Sequence, residues 1–86
     1  MTNLANHITT ATTTTVCARP CVLHTLTLNE AATGSVTIND GDTALAIIAS
    51  ATVAQTFVYD IECKTNLNIV TAGADDITVS YRPLQS

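Results

Sequence analysis

Three cysteines and two histidines supply the most obvious chemistry in this 86-residue sequence. Cys17, Cys21 and His24 form a Cys-x3-Cys-x2-His run. These are zinc-ligand residue types at close to ligand spacing, with Arg19-Pro20 as the bend between the thiols. Structural zinc takes four ligands, so His7 or Cys63 would have to complete the set. The competing reading is that Cys17 and Cys21 are small apolar strand residues. A Cys17–Cys21 disulfide across the bend is a further option, disfavoured if the chain stays in a reducing compartment. A thiol near a histidine is also the minimum for nucleophilic catalysis. His24 has two readings of its own: a group lining a symmetry axis, where several copies hold an ion, or a histidine at the end of a core bonded to backbone.

The acids form two small sets, Asp40 with Asp42 and Asp75 with Asp76. Calcium wants several oxygen ligands from one loop. Asn39-Asp40-Gly41-Asp42 has the residue types but lacks the later acid of a helix–loop–helix calcium loop. Turn chemistry accounts for the same residues without a metal. Gly34, Gly41 and Gly73 stand singly, so no glycine loop is present to cradle a phosphate. With its acids mostly in turns, the chain is expected to be no enzyme and to need no cofactor.

Composition narrows the partners. Net charge is −4 and only Arg19, Lys64 and Arg82 are basic. Nucleic-acid binding needs clustered cations to displace counterions, and stacking aromatics for single strands. Neither is here, so no nucleic-acid partner is expected, and no anionic membrane partner for the same reason. No run approaches the roughly 18 apolar residues of a membrane helix, and Met1 to Thr15 lacks the basic start and apolar run of a signal peptide. The expectation is synthesis in a cytoplasm without export by the general secretory route. Charged residues make up 12% of the chain and aromatics 3%. Half the usual charge of about 25% fits either a surface largely covered by partners or a merely neutral one.

Alternation with period two, the mark of half-buried strands, sets the elements that would position these groups. Val22, His24, Leu26 and Leu28 share one face, with Thr25 and Thr27 opposite. Val36 and Ile38 follow, then the Asp40-Gly41 turn, the apolar run Ala44 to Ala49, and Phe57, Tyr59 and Ile61 alternating with Val58, Asp60 and Glu62. Leu67, Ile69 and Val70 make a further strand. Ile77, Val79 and Tyr81 make the last, stopped by Pro83. The spacing predicts an all-β fold: a small β-sandwich or jelly-roll-like barrel of about seven or eight antiparallel strands. Residues 1–15 read as an extended N-terminal arm and 16–86 as the single domain. In the Thr-rich arm, Ile8, Thr10, Thr12 and Thr14 are the expected assembly contacts, because the run has strand propensity but little to bury.

Three stretches carry a resemblance: Leu26 to Asp40 (Leu-Thr-Leu-Asn-Glu-Ala-Ala-Thr-Gly-Ser-Val-Thr-Ile-Asn-Asp), Thr56 to Asp60 (Thr-Phe-Val-Tyr-Asp) and Thr65 to Arg82. Together they resemble small bacteriophage virion structural proteins of the β-sandwich or jelly-roll type, which decorate heads or build spikes and tail fittings. The resemblance spans about two-thirds of the chain as a pattern of strands. It implies a capsid decoration, or cement, protein located in the virion. Such a protein would form a homotrimer and bind the major capsid protein through an N-terminal arm. A spike, fibre or tail component contacting a host receptor is the alternative within that class. A small ligand- or carbohydrate-binding sandwich module is the alternative outside it.

Overall fold

The computed structural model describes residues 4–84. Eight strands lie among them: β1 (Leu4–Ile8), β2 (Thr13–Cys17), β3 (Cys21–Leu28), β4 (Val36–Asp40), β5 (Thr43–Ile48), β6 (Thr56–Cys63), β7 (Leu67–Thr71) and β8 (Ile77–Pro83). They form two four-stranded sheets, β1-β8-β3-β6 and β2-β7-β4-β5, and every pairing is antiparallel. This strand order is that of an eight-stranded jelly roll, in which successive strands cross between the sheets except at the β4–β5 hairpin. No helix occurs among the described residues.

The core lies between the sheets. Leu23, Leu26 and Leu28 of β3 and Ile77 and Val79 of β8 meet Val36 and Ile38 of β4 and Leu67 and Ile69 of β7. β7 alternates buried and half-buried along its whole length, and β4 does so from Val36 to Asn39, because each has paired neighbours and one wet face. The accessible surface is 4516 Å², against about 4,900 Å² expected for a folded monomer of this mass. The chain closes its own core as fully as a free-standing domain.

Residues 4–15 differ from the expected arm. β1 pairs in register along β8, from Leu4 opposite Tyr81 to Ile8 opposite Ile77. β2 pairs along β7, with Thr13, Thr14 and Thr15 opposite Val70, Ile69 and Asn68. The sequence shows few apolar residues there because both are edge strands. Ile8 and Val16 still reach the core. The boundary expected near residue 16 therefore falls inside β2, and the domain starts with β1. Met1 to Asn3 of the expected arm lie outside the described residues.

The second difference is a bulge. On β3, Cys21, Leu23, Leu26 and Leu28 point inward, not Val22 and His24. Leu23 faces Tyr81 while Thr25 faces Ser80, so His24 is one residue too many for β8. On the other side, Leu23 faces Ile61 and Thr25 faces Val58, so β6 carries the excess at Tyr59 and Asp60. Asp60 takes a left-handed backbone, φ 50°, which accommodates the extra residue. Alternation therefore changes phase at His24, and a parity count from Leu28 puts every residue before it on the wrong face.

At the β4–β5 hairpin Asp40 pairs with Thr43, leaving Gly41-Asp42 as a two-residue loop. Only Gly41 has positive φ, 59°, as a type II′ turn requires at its first central position.

Candidate functional site

The structure divides the expected Cys17, Cys21 and His24 set. Cys21 sits directly opposite Cys63 across β3 and β6, and Cys17 ends β2. All three are buried free thiols. Burial pushes the Cys21 thiol well up from its ordinary value, helped by hydrogen bonding and charge interaction with Cys17 and by interaction with Cys63. Cys63 is raised as well, first by burial and then by the nearby Asp40 carboxylate. The Cys17 thiol donates to the Arg19 carbonyl at 3.4 Å. Metal binding requires thiolates, and the burial that raises Cys21 and Cys63 works against them.

His24 does not join them. The bulge turns it to the outer face of the first sheet, where its Nδ1 lies 2.6 Å from Asp60 Oδ1. His7 is likewise occupied, its Nε2 2.5 Å from Asp76 Oδ1. Asn29 Nδ2 also donates to that oxygen at 3.0 Å. Among the described residues, no group of three or more His, Cys, Asp or Glu side chains is arranged to hold a metal ion. The metal reading of Cys17, Cys21 and His24 is thus corrected, and the reason is the phase change on β3. The reading of His24 as a core-end histidine bonded to backbone gives way to a histidine on the outer face, hydrogen-bonded to Asp60.

The acids act as clamps on the chain itself. Asp40 accepts the backbone N–H groups of Lys64 at 2.9 Å, Thr65 at 2.9 Å and Asn66 at 3.4 Å. These bonds, those from Lys64 and Thr65 foremost, hold its carboxyl below the usual carboxylate range. Asp42 is exposed in the II′ turn and does not converge with Asp40 on an ion. Asp76 is also held low, mainly by His7 and then by Asn29.

Asp75 is the least expected of them. It is only 1% exposed. Its Oδ1 accepts Thr33 N–H at 2.5 Å, Thr33 Oγ1–H at 3.0 Å and Gly34 N–H at 3.1 Å, while Oδ2 is buried with no partner. This carboxylate ties the β3–β4 loop to the β7–β8 loop. Gly34 and Gly73 make the approach possible, since a Cβ on Gly34 would lie 2.5 Å from the Gly73 nitrogen. At the same end Ala72 N–H donates to the Ser35 carbonyl, and Ala51 and Ala32 bond the β5–β6 loop in. Thr71 Oγ1 donates to the Thr10 carbonyl at 2.6 Å and accepts Thr12 N–H at 3.1 Å, which fixes the β1–β2 loop. Four loops are thereby locked into one rigid cap.

The expected assembly contacts are placed unevenly. Ile8 is buried in the chain's own core, and Thr14 is half-buried on the inward row opposite Ile69. Thr10 and Thr12 are exposed side chains whose backbone is engaged by Thr71.

The two outer faces contrast sharply. That of the first sheet holds His7, His24, Asp60, Glu62 and Arg82. That of the second sheet is two rows without a charge: Thr13, Val70, Thr37 and Ile47, then Thr15, Asn68, Asn39 and Ala44. Ile47 in the first row is 68% exposed. No pocket is found among the described residues. Phe57 and Tyr59, their rings stacked at 6.2 Å, are half-buried against the core.

No protein-family model, no curated protein and no solved structure matches this chain.

Sequence reasoning missed the Asp75 clamp and the contrast between faces. An Asp-Asp pair two residues after an isolated glycine was the available signal for the clamp. The face contrast was hidden because strand adjacency, not sequence order, builds the rows.

Proposed function

We propose that this chain is a non-enzymatic structural protein of a phage virion, a capsid decoration (cement) protein that works as a homo-oligomer on the major capsid protein. The observation that carries the reading is the uncharged outer face of the second sheet, with Ile47 68% exposed at its margin. A four-stranded face rich in Thr, Val, Ile and Asn loses little by leaving water, because it strips no ion of hydration. It offers an uncharged, ladder-paired surface of the kind a shell can seat, while the charged face of the first sheet stays wet. The clamped loop cap supports the same role, since a subunit that does not deform on docking loses less entropy. The half-buried Phe57 and Tyr59 leave no aromatic platform for a sugar ring, which favours this reading over a carbohydrate-binding module.

The test is co-sedimentation with intact capsids of a phage from the same source as this chain. The expected result is saturable binding that raises the temperature at which shells break, with Ile47→Asp and Thr37→Asp each weakening binding while leaving the fold intact. Absence of binding to intact shells refutes the reading. Electron-microscopic density for the chain solely at a vertex or tail transfers it to the spike, fibre or tail class.

A further inference from the structure

The four edge strands are not equivalent. Three of them carry an extra residue that breaks the ladder: Val16 on β2, Leu45 on β5 and the Tyr59–Asp60 pair on β6. Bulges of this kind blunt an edge, because they twist the open row of N–H and C=O groups out of line. The β6 edge is further guarded by Asp60 and Glu62. The remaining edge, β1, is regular over its whole length, from Leu4 to Ile8 against β8. It bears no carboxylate and no Lys or Arg, and Leu4 is 45% exposed. Among the described residues nothing pairs with its outer side.

The β1 sequence Leu-Ala-Asn-His-Ile is complementary to itself when two copies run antiparallel about Asn6. That register sets Leu4 opposite Ile8 of the second copy, Ala5 opposite His7, and Asn6 opposite Asn6. Leu4, Asn6 and Ile8 share a face with Tyr81, Val79 and Ile77, and the inward face is theirs. The register therefore keeps apolar ends with apolar ends on the core side and faces two neutral amides at the axis. It sets no like charges against each other. Register about a central residue also preserves hydrogen-bond parity, whichever residues present their N–H outward.

We propose that β1 is a self-association edge, and that two copies of this chain join through it about a two-fold axis. The result is one continuous eight-stranded sheet, ordered β6-β3-β8-β1 and then the same strands in reverse in the second copy. This is strand addition with an isologous partner. It rests on reading the chain as a self-associating subunit, and it replaces the three-fold implied by the virion resemblance with a pair. The uncharged face of the second sheet is left free in each copy.

The test uses the full chain with any tag placed after Ser86. Light scattering after size exclusion should give the mass of two chains. Asn6→Asp and Asn6→Lys each set like charges together at the axis, and each should weaken the pair by roughly tenfold or more. Mixing the two variants should restore it, because Asp then faces Lys. Circular dichroism reports whether each variant keeps its β fold. If either does not, hydrogen exchange on the unmodified chain replaces it, with β1 amides gaining protection as concentration rises. A monomer, a trimer, a pair indifferent to both variants, or β1 amides whose exchange ignores concentration overturns the proposal. Failure here is distinct from failure of the virion reading: a pair that ignores capsids refutes only the latter, and a monomer that binds them refutes only the former.

Discussion

Replacing Asp75 tests the clamp that holds the loop cap together. Asp75→Ala removes the acceptor for Thr33 N–H, Thr33 Oγ1–H and Gly34 N–H, which Oδ1 now takes at 2.5, 3.0 and 3.1 Å. The Asp75 side chain is 1% exposed and the three bonds to it are partly buried, although Thr33 itself lies at the surface. Each partly buried donor left unpaired costs about 1–3 kcal/mol, so three cost about 3–9 kcal/mol. Part of that is returned, because the partnerless Oδ2 disappears as well, and its own burial costs about 1–3 kcal/mol. A net loss of about 2–6 kcal/mol follows, against a total stability of roughly 4–13 kcal/mol for a chain of this length. Asp75→Asn keeps the accepting oxygen and puts an NH2 where Oδ2 had no partner, for a loss of about 1–3 kcal/mol. Asp42→Ala, an exposed turn position, is the control and should stay within about 0.5 kcal/mol. Urea unfolding followed by circular dichroism measures all three, with the slope checked for constancy. If Asp75→Ala unfolds within about 1 kcal/mol of the parent, Asp75 is not the clamp and the reasoning fails.

Three other outcomes follow from the same geometry. Gly34→Ala should cost about 1–3 kcal/mol or more, because its Cβ meets the Gly73 and Ala72 backbone at 2.5 and 2.9 Å; Gly41→Ala has room beside Thr65 and should cost only about 1–2 kcal/mol from its φ of 59°. Thermal melting ranks the two, and equal losses would contradict the close loop approach. Asp60→Asn should be tolerated within about 0.5 kcal/mol, since Asn accepts the left-handed backbone, whereas Asp60→Val should lose about 1–2 kcal/mol on unfolding; equal stability of the pair would remove the strained bulge. Asp40 and Asp76 have folded-state pKa values below their unfolded ones, so their stabilisation is full above about pH 4 and drains away as pH falls through the lower folded values. Asp40→Asn should flatten the acid limb of a melting-temperature profile, and an unchanged limb would show that the Lys64–Asn66 turn does not depend on that carboxylate.

Much of the fold was written in local pattern. Alternation in β4, β7 and β8 fixed both their existence and their inward faces, since a central strand with one wet face has no other way to hide its apolar residues. Asp40-Gly41 fixed the tight turn, because glycine takes positive φ at least cost.

Three things were decided only when distant strands met. β1 and β2 have little apolar pattern because an edge strand needs few buried side chains, so their place in the sheets comes from β8 and β7. The phase change at His24 exists only because β6 and β8 each fail to match β3 there, and it turned a seeming core histidine outward to Asp60. Asp75 reads as a turn residue until Gly34, 41 positions away, comes within hydrogen-bonding distance. Of the residues with the most chemistry on paper, Cys17 and Cys21 stay together in the core, while that same bulge takes His24 away from them. The sequence determined an all-β chain with neutral surfaces. Tertiary pairing determined which faces are neutral, which edge is open and which polar groups hold the loops, because each is a relation between strands far apart in the chain.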